Sequence, residues 1–281
     1  MKMDFIGIGA QKCASTWISN ILRSHPAIEM PEQEPLDFFS YVFENGYRWY
    51  DAQIPAEVVG IRRGEMSQSY FHEADVVERV KEYRNDIKII VSLRDPVERA
   101  LSQHRHLVRL GAVPSSDLSF ETALATNPTY REQGLYFRHL TRWVDSFGSD
   151  LVHVTFMEDI QSDPTTVAES LFHFLEVSED HEPSAIEEKH NASYVAKSRI
   201  AHHIMAGLSV GVRSVGGEKL WQSLGGKRMR RIYRQLNHQP AESVIPDPKQ
   251  TTLNELRSFY APEVEQLSRM LDRDLTDWTA P

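Results

Sequence analysis

The sequence has one cysteine in 281 residues and no long apolar run. A single cysteine cannot form an intramolecular disulfide and argues against a cysteine-based zinc site, a usage that fits a reducing cytoplasm. No stretch approaches the roughly 20 apolar residues of a membrane span. The N-terminal MKMDFIGIGA is too poor in apolar residues for a signal peptide. We therefore expect a cytoplasmic protein without a membrane span.

Positive charge is also scarce, because 31 Lys and Arg stand against 40 Asp and Glu, a formal net charge of -9. A nucleic-acid-binding protein normally presents a net basic face, so this balance argues against that class. An anionic small ligand stays compatible with the charge, because its pocket needs only a few local cations. The remaining composition, 41% hydrophobic and 25% charged, is that of a globular protein.

Strand and helix patterns alternate through residues 1–177. MDFIGIG, IKIIVSL and LVHVTF read as buried strands, and EMSQSYF reads as a further short strand. Amphipathic helical patterns follow them, which predicts a three-layer α/β fold with a central parallel sheet flanked by helices. Beyond about Ser178 we expect no strands, but a mostly helical C-terminal portion, residues 178–281, ending in two helices. We expect residues 1–281 to form a single domain.

The first candidate site is the stretch GIGAQKCASTW, Gly7 to Trp17, which follows the first strand and opens a helix. Such a turn directs backbone N–H groups and the positive end of a helix dipole at a bound anion. Lys12 adds a full charge, and Ser15 and Thr16 add hydroxyl donors. The stretch is not a nucleoside-triphosphate loop, which needs Gly before the Lys and Ser or Thr after it. An ordinary strand-to-helix turn capped by Ser15 is the alternative.

The second candidate site is in SLRDPVERALSQH, after the strand IKIIVSL. Arg94 stands at the carboxyl end of that strand, where ligands collect in open α/β sheets. Its planar guanidinium suits phosphate. Ser102 follows about two turns into the next helix, where its hydroxyl could meet Arg94 at one oxyanion. A structural ion pair of Arg94 with Asp95 is the alternative.

Together these stretches resemble the sulfotransferase family. QKCASTW resembles the loop with which sulfotransferases hold the 5′-phosphosulfate of PAPS (3′-phosphoadenosine 5′-phosphosulfate), and SLRDPVERALSQH resembles their 3′-phosphate motif. Further similarity to bacterial sulfotransferases and to the heparan sulfate branch covers most of the chain, in GLYFRHLTRWVDSF, VTFMEDIQSDP, FLEV and LRSFYAPEVEQLSRMLDRDLTDW.

The resemblance implies a P-loop-like fold that transfers a sulfuryl group from PAPS and releases PAP (3′,5′-ADP), without a metal. It assigns the 5′ loop to Lys12, Ala14, Ser15, Thr16 and Trp17, and the 3′-phosphate to Arg94 and Ser102. Lys197 and Arg199 fall in a segment that covers the nucleotide in the family. Lys12 would neutralise the leaving oxygen. The acceptor would be a hydroxyl, with an amine as the alternative, on a small molecule, glycan or natural product.

The catalytic base is the least direct assignment. The heparan sulfate branch uses a Glu after a Lys and just before paired aromatics, and EQEPLDFFS offers Glu34 before Phe38 and Phe39. Gln33 replaces the Lys, and one extra residue precedes the aromatics. His72 and His104 are the alternatives for the base. Cys13, at the start of a helix, could instead be a reactive thiol.

Two other functions stay open from the sequence. A P-loop-type small-molecule kinase is disfavoured by Gln11 and Cys13 on either side of Lys12, and by the lack of a metal-binding acid at a strand end. A non-catalytic protein that binds PAPS or PAP is the second, and the presence of Glu34 argues against it only weakly.

Overall fold

The computed structural model describes residues 2–54, 58–181, 183 and 244–280, and the backbone of residues 194–196 and 238–240. Its strands are β1 (Phe5–Gly9), β2 (Ile28–Glu29), β3 (Arg62–Met66), β4 (Lys88–Leu93), β5 (Val152–Phe156), β6 (Tyr194–Ala196) and β7 (His238–Pro240). Its described α-helices are α1 (Ser15–Ser24), α2 (Gly46–Asp51), α3 (Ala74–Tyr83), α4 (Pro96–Leu110), α5 (Phe120–Thr126), α6 (Thr129–Glu132), α7 (Tyr136–Phe147), α8 (Met157–Ser162), α9 (Pro164–Phe174) and α10 (Gln250–Leu271). No helix in these ranges is long and apolar enough to cross a membrane.

The chain divides into two compact units, which we call the sheet unit and the second unit. The sheet unit comprises Met1–Ser102, Pro128–His190 and Gln250–Pro281, and the second unit comprises Gln103–Asn127 and Asn191–Lys249. These bounds differ from the expected change at residue 178. That the whole chain acts as a single domain stays a prediction.

The sheet unit contains a five-stranded parallel sheet in the order β2-β3-β1-β4-β5. β1 is therefore central, between β3 and β4, and the chain builds one side of the sheet before crossing to the other. Ligands of open α/β sheets bind at the carboxyl ends of the strands where the order reverses. The topology therefore indicates a ligand site at the carboxyl end of β1, where the sequence predicted the first candidate site.

Burial explains why the central strands form. Every residue of β1 is buried, and β4 is buried after Lys88, as expected for strands covered by helices on both faces. α1 places Trp17, Ile18, Ile21 and Leu22 into the core together with residues of α9. A Cβ at Gly7 would meet the Sδ and Cε of Met66, so a larger residue there would require the Met66 side chain to move.

Three details of the predicted fold are wrong. The strand predicted at EMSQSYF begins earlier and ends at Met66, and the residues after it form a turn. Strands do not stop at Ser178, because β6 and β7 pair antiparallel in the second unit. The two expected closing helices are one helix, α10, which continues through Pro262. Its buried stripe of Leu256, Tyr260, Val264 and Leu267 keeps helical spacing across the proline.

Candidate active site

The loop between β1 and α1 has two non-glycine residues in the left-handed region. Lys12 and Ala14 adopt left-handed φ angles of 69° and 66°. Ala14 is the residue that caps α1, and it has no side-chain hydrogen bond to offer the first turn. The first N–H groups of a helix have no intrahelical acceptor, so a bound anion can take that place. The alternative in which Ser15 caps the helix is wrong, because Ser15 is the first helical residue.

Buried contacts hold this loop against the sheet. The Ser92 hydroxyl, at the end of β4, donates to the carbonyl of Cys13. The Cys13 sulfur lies 3.7 Å from the Tyr136 hydroxyl, in a fully buried position. Desolvation raises the pKa of the Cys13 thiol to about 11, although its contact with Tyr136 lowers it. Cys13 is therefore a packing residue of the loop and is not activated as a thiolate.

The remaining residues assigned to the 5′ loop differ in exposure. Thr16 is exposed, Lys12 is half-buried and Ser15 is buried. Trp17 is only 8% exposed and belongs to the hydrophobic core, while its backbone N–H donates to the Ala14 carbonyl at 2.9 Å. Thr16 is therefore the most exposed of these residues. That Ala14, Ser15 and Trp17 contact a nucleotide stays a prediction.

Arg94 lies beside this loop, as its place at the end of β4 predicted. Its Nη1 donates to the Lys12 carbonyl at 3.4 Å, and its Nη2 lies 3.4 Å from the Glu98 carboxylate. Asp95 does not pair with it but caps α4, accepting the N–H groups of Val97 and Glu98 at 2.7 and 3.2 Å. Arg94 and the loop therefore meet at one edge of the sheet.

Ser102 is half-buried on α4, in the second turn after Pro96. No hydrogen bond between described residues joins it to Arg94. Their meeting at a 3′-phosphate stays a prediction, and Lys197 and Arg199 lie outside the described residues.

The C-terminal end of the sheet unit packs at the same edge. Glu158 follows β5, and its carboxylate accepts the Trp278 indole N–H at 3.1 Å and the Asp95 N–H at 3.4 Å. Arg273 forms a bidentate pair with Asp159 at 2.6 and 2.7 Å and lies over the Phe156 ring. The stretches VTFMEDIQSDP and LRSFYAPEVEQLSRMLDRDLTDW contain these residues, but the sequence alone predicted no role for them. The end of β5 is nevertheless a place where ligands of parallel sheets bind.

Glu34 lies at the end of β3, on the other side of β1 from Arg94. Its Oε1 accepts the Met66 N–H at 3.0 Å, and its Oε2 accepts the Ser19 hydroxyl at 3.0 Å and pairs with Arg23 at 2.8 Å. Only 10% of its side chain is exposed. Desolvation raises the pKa of this carboxyl, while Arg23 and Ser19 lower it. Ser19 and Arg23 lie one and two turns beyond Ser15 on α1, so the loop before α1 and the partners of Glu34 share one helix.

A second carboxyl is buried next to Glu34. Glu65, the residue before Met66 on β3, is fully buried and accepts hydrogen bonds from the hydroxyls of Tyr50, Ser67 and Tyr70. Desolvation raises its pKa to about 7, its hydroxyl partners lower it, and the charge of Glu34 adds to the rise. Sequence reasoning missed Glu65, because no spacing in the chain predicts where its partners come from.

The two histidines considered as bases lie in different units. His72 in the sheet unit contacts Gln133 and Glu73 at 3.4 Å, and desolvation lowers its pKa. His104 in the second unit is buried with its Nε2 at 2.9 Å from the Leu118 carbonyl. Within the described ranges, no group of three or more His, Cys, Asp or Glu could hold a metal ion. That the reaction needs no metal stays a prediction.

Comparison with known proteins identifies the family. The family described as "Sulfotransferase domain" matches residues 2–208, well over half of the chain. The chain belongs to the sulfotransferase family. This membership supports sulfuryl transfer as the reaction class of the site described above.

Individual sulfotransferases are similar over parts of the chain. Human "Heparan sulfate glucosamine 3-O-sulfotransferase 6" is 32% identical over 164 residues, covering 56% of this chain and 47% of that protein. "Bifunctional heparan sulfate N-deacetylase/N-sulfotransferase 1" of Caenorhabditis elegans is 26% identical over 191 residues, covering 63% and 22%. The chain thus spans about half or less of the length of these relatives.

A solved sulfotransferase structure confirms the fold. The crystal structure of a sulfotransferase from Alicyclobacillus acidocaldarius matches with a TM-score of 0.70 and 24% identity, over 100% of both chains. The P-loop-like α/β architecture predicted from the sequence is therefore confirmed.

Proposed function

We propose that this sulfotransferase transfers a sulfuryl group from PAPS to an acceptor hydroxyl by in-line displacement. The observation that carries the proposal is the meeting of Arg94 with the Lys12 carbonyl, at 3.4 Å, in front of the uncapped first turn of α1. Two cationic side chains and a helix N-terminus at one sheet edge suit a ligand with two separated anionic groups. PAPS is such a ligand.

The two anion-binding groups of the site have separate roles in the proposal. The loop of Lys12, Ala14, Ser15 and Thr16 would hold the 5′-phosphosulfate, and Arg94 with Ser102 would hold the 3′-phosphate. Lys12 would neutralise the charge that builds on the leaving phosphate oxygen, which is the interaction that strengthens in the transition state. Lys197 and Arg199 lie outside the described residues, and their contact with the nucleotide stays a prediction.

Glu34 would accept the proton of the attacking hydroxyl. A carboxylate has about four lone-pair positions, and three are used by the Met66 N–H, Ser19 and Arg23. The fourth is on Oε1, which is therefore the atom for the acceptor's proton. Burial raises the pKa of this carboxyl and makes it a stronger base than a solvated glutamate, while the charge of Arg23 lowers the pKa and favours the ionised form.

The names of the relatives suggest an acceptor class. The 3-O-sulfotransferase modifies a glucosamine hydroxyl, as its name states, and it matches with the higher identity of the two relatives described above. We therefore propose a sugar hydroxyl as the first acceptor to test. An amine is the second candidate, because an N-sulfotransferase also matches.

A transfer assay tests the proposed function. The full chain is incubated with ³⁵S-labelled PAPS and, in separate reactions, a heparan-type oligosaccharide, 4-nitrophenol and a primary amine. We expect label on a hydroxyl acceptor together with release of PAP. PAP binding without transfer to any member of a broad acceptor panel would favour a non-catalytic PAPS- or PAP-binding protein. Magnesium-dependent phosphoryl transfer from ATP would instead favour the kinase.

A further inference from the structure

Three hydroxyl groups converge on the carboxyl of Glu65. Its Oε1 accepts from Tyr70 at 2.7 Å and from Tyr50 at 3.2 Å, and its Oε2 accepts from Ser67 at 2.6 Å. Glu65, Ser67 and Tyr70 are all buried, so no water competes for these bonds. Burying a carboxyl is costly unless it is hydrogen-bonded, and each hydroxyl here reduces that cost.

Two of these hydroxyls also hold the backbone of the loop that carries Glu34. The Ser67 oxygen accepts the N–H of Asp37 at 2.9 Å, and the Tyr70 oxygen accepts the N–H of Phe39 at 3.4 Å. A hydroxyl that donates to a carboxylate is a better acceptor, because hydrogen bonds in a chain polarise one another. The carboxyl of Glu65 therefore fixes the direction of both hydroxyls toward the loop.

The loop needs such anchors because it has no regular secondary structure. Residues 30–37 contain neither helix nor strand, and Asp37 adopts a left-handed φ of 49°. Phe38 and Phe39 are fully buried next to Asp37, with Phe38 stacked on Tyr50 at 4.6 Å between ring centres. Glu34 is three residues before Asp37, so the backbone that carries it is held at Asp37 and Phe39, in addition to the three direct contacts of its carboxyl.

We infer that Glu65 is a positioning residue for Glu34: through the hydroxyls of Ser67 and Tyr70 it holds residues 37–39, and so holds the Glu34 carboxyl at the end of β3. This inference rests on the proposed function, in which Glu34 is the base. A displacement of about 1 Å at a catalytic group can cost about 100-fold in rate. Loss of the anchors is therefore expected to lower turnover without changing nucleotide affinity.

The chain offers a matched pair of variants. Ser67→Ala and Tyr50→Phe each remove one hydroxyl donor from Glu65, and both leave the Glu65 carboxyl itself in place. Only Ser67→Ala also releases a backbone N–H of the Glu34 loop, because the Tyr50 hydroxyl makes no bond to residues 37–39. Tyr70→Phe, alone and combined with Ser67→Ala, releases the second anchor. Unchanged PAP affinity by calorimetry shows that a variant is folded.

The first readout needs no acceptor. In the full chain labelled with ¹³C at glutamate carboxyls, Glu34→Gln identifies the Glu34 signal, and its pKa is read from a pH titration. Groups facing this carboxyl are Arg23, Ser19 and the Met66 N–H, with Glu65 close by. We expect Ser67→Ala to lower the pKa of Glu34 toward that of a solvated glutamate, since desolvation is the largest cause of its rise. Tyr50→Phe should leave it unchanged.

The second readout is turnover with ³⁵S-labelled PAPS and the panel member that the wild type modifies. Ser67→Ala should lower kcat about 10- to 100-fold with KM for PAPS unchanged, and it should add no further loss in a Glu34→Gln background. Equal effects of Ser67→Ala and Tyr50→Phe would overturn the inference and leave the proposed function intact. Full turnover of Glu34→Gln would overturn the base assignment and, with it, the expected effect of Ser67→Ala on kcat. No transfer by the wild type would overturn the proposed function alone, because the titration still decides whether these anchors hold Glu34.

Discussion

Replacing Glu65 by Gln removes a buried acid whose pKa the fold raises to about 7. In the unfolded chain this carboxyl returns to its usual pKa of 4.5. An acid with a raised folded pKa contributes stability that is fully present below the unfolded value and is lost as the pH rises through the folded value. The window for Glu65 is therefore from about pH 4.5 to about pH 7.

The size of the effect follows from the two pKa values. At about 1.4 kcal/mol per pKa unit, the gap between 4.5 and about 7 corresponds to about 3 kcal/mol of unfolding free energy. Wild type should lose this amount across the window relative to Glu65→Gln. Burial lowers the pKa values of His139 and His153 to about 4. These two residues therefore make the unfolding free energy rise with pH, which is opposite to the effect of Glu65. They are present in both proteins and cancel in the difference.

Urea unfolding followed by tryptophan fluorescence, repeated from about pH 5 to about pH 8, measures this difference. We expect the two stability curves to diverge as the pH rises, with wild type falling relative to the variant. The test is the change of stability with pH and not the absolute stability of Glu65→Gln. The glutamine amide has different hydrogen-bonding groups from the carboxyl, so its bonds to the three hydroxyls also change the absolute stability. Curves that stay parallel within about 0.5 kcal/mol would refute the reasoning that Glu65 is a desolvated acid in the folded chain.

The site residues lead to three further predictions. Arg94→Ala should chiefly weaken PAP binding measured by calorimetry, whereas Lys12→Ala should also lower turnover at saturating PAPS; a Lys12 variant with full turnover at saturation would make Lys12 a binding residue only. Glu34→Gln should lower turnover on an alcohol roughly 10²- to 10⁴-fold at unchanged PAP affinity, and activity within a few-fold of wild type would redirect the search for the base to His72 or His104. Cys13 should resist iodoacetamide at about pH 8 in the folded chain, because desolvation raises its thiol pKa to about 11; rapid alkylation without unfolding, detected by mass spectrometry, would contradict its burial.

The parts of the fold that sequence predicted well are those set by local pattern. The helix predicted at the end of the Gly7–Trp17 stretch is α1, Ser15–Ser24, because a small-residue loop precedes it and His25-Pro26 ends it. β4 and α4 follow a continuous apolar run and an Asp-Pro helix start. One topological rule, that parallel strands end at the same edge of the sheet, predicted that Arg94 would lie beside the loop before α1.

The parts that sequence missed depend on contacts between distant segments. Arg23 pairs with Glu34 only because the irregular loop folds back over α1. The Glu65 partners come from α2 and from the turn after β3, and no periodicity links Tyr50 to Tyr70. β6 and β7 are three residues each, too short for an alternating pattern to stand out. The chain was predicted to end in two helices, but α10 continues through Pro262, where its buried stripe outweighs the lost hydrogen bond.

Nucleotide preference tests the central claim most directly, because it needs no acceptor. Isothermal calorimetry on the full chain, without magnesium, compares 3′,5′-ADP with 5′-AMP and ATP. We expect 3′,5′-ADP to bind at least roughly 100-fold tighter than either, a difference of about 2.7 kcal/mol in binding free energy. The reason is that Arg94 and the loop before α1 would each bind a separate phosphate. Tight ATP binding that depends on magnesium, or equal affinity for 5′-AMP and 3′,5′-ADP, would contradict a PAPS site at this edge of the sheet.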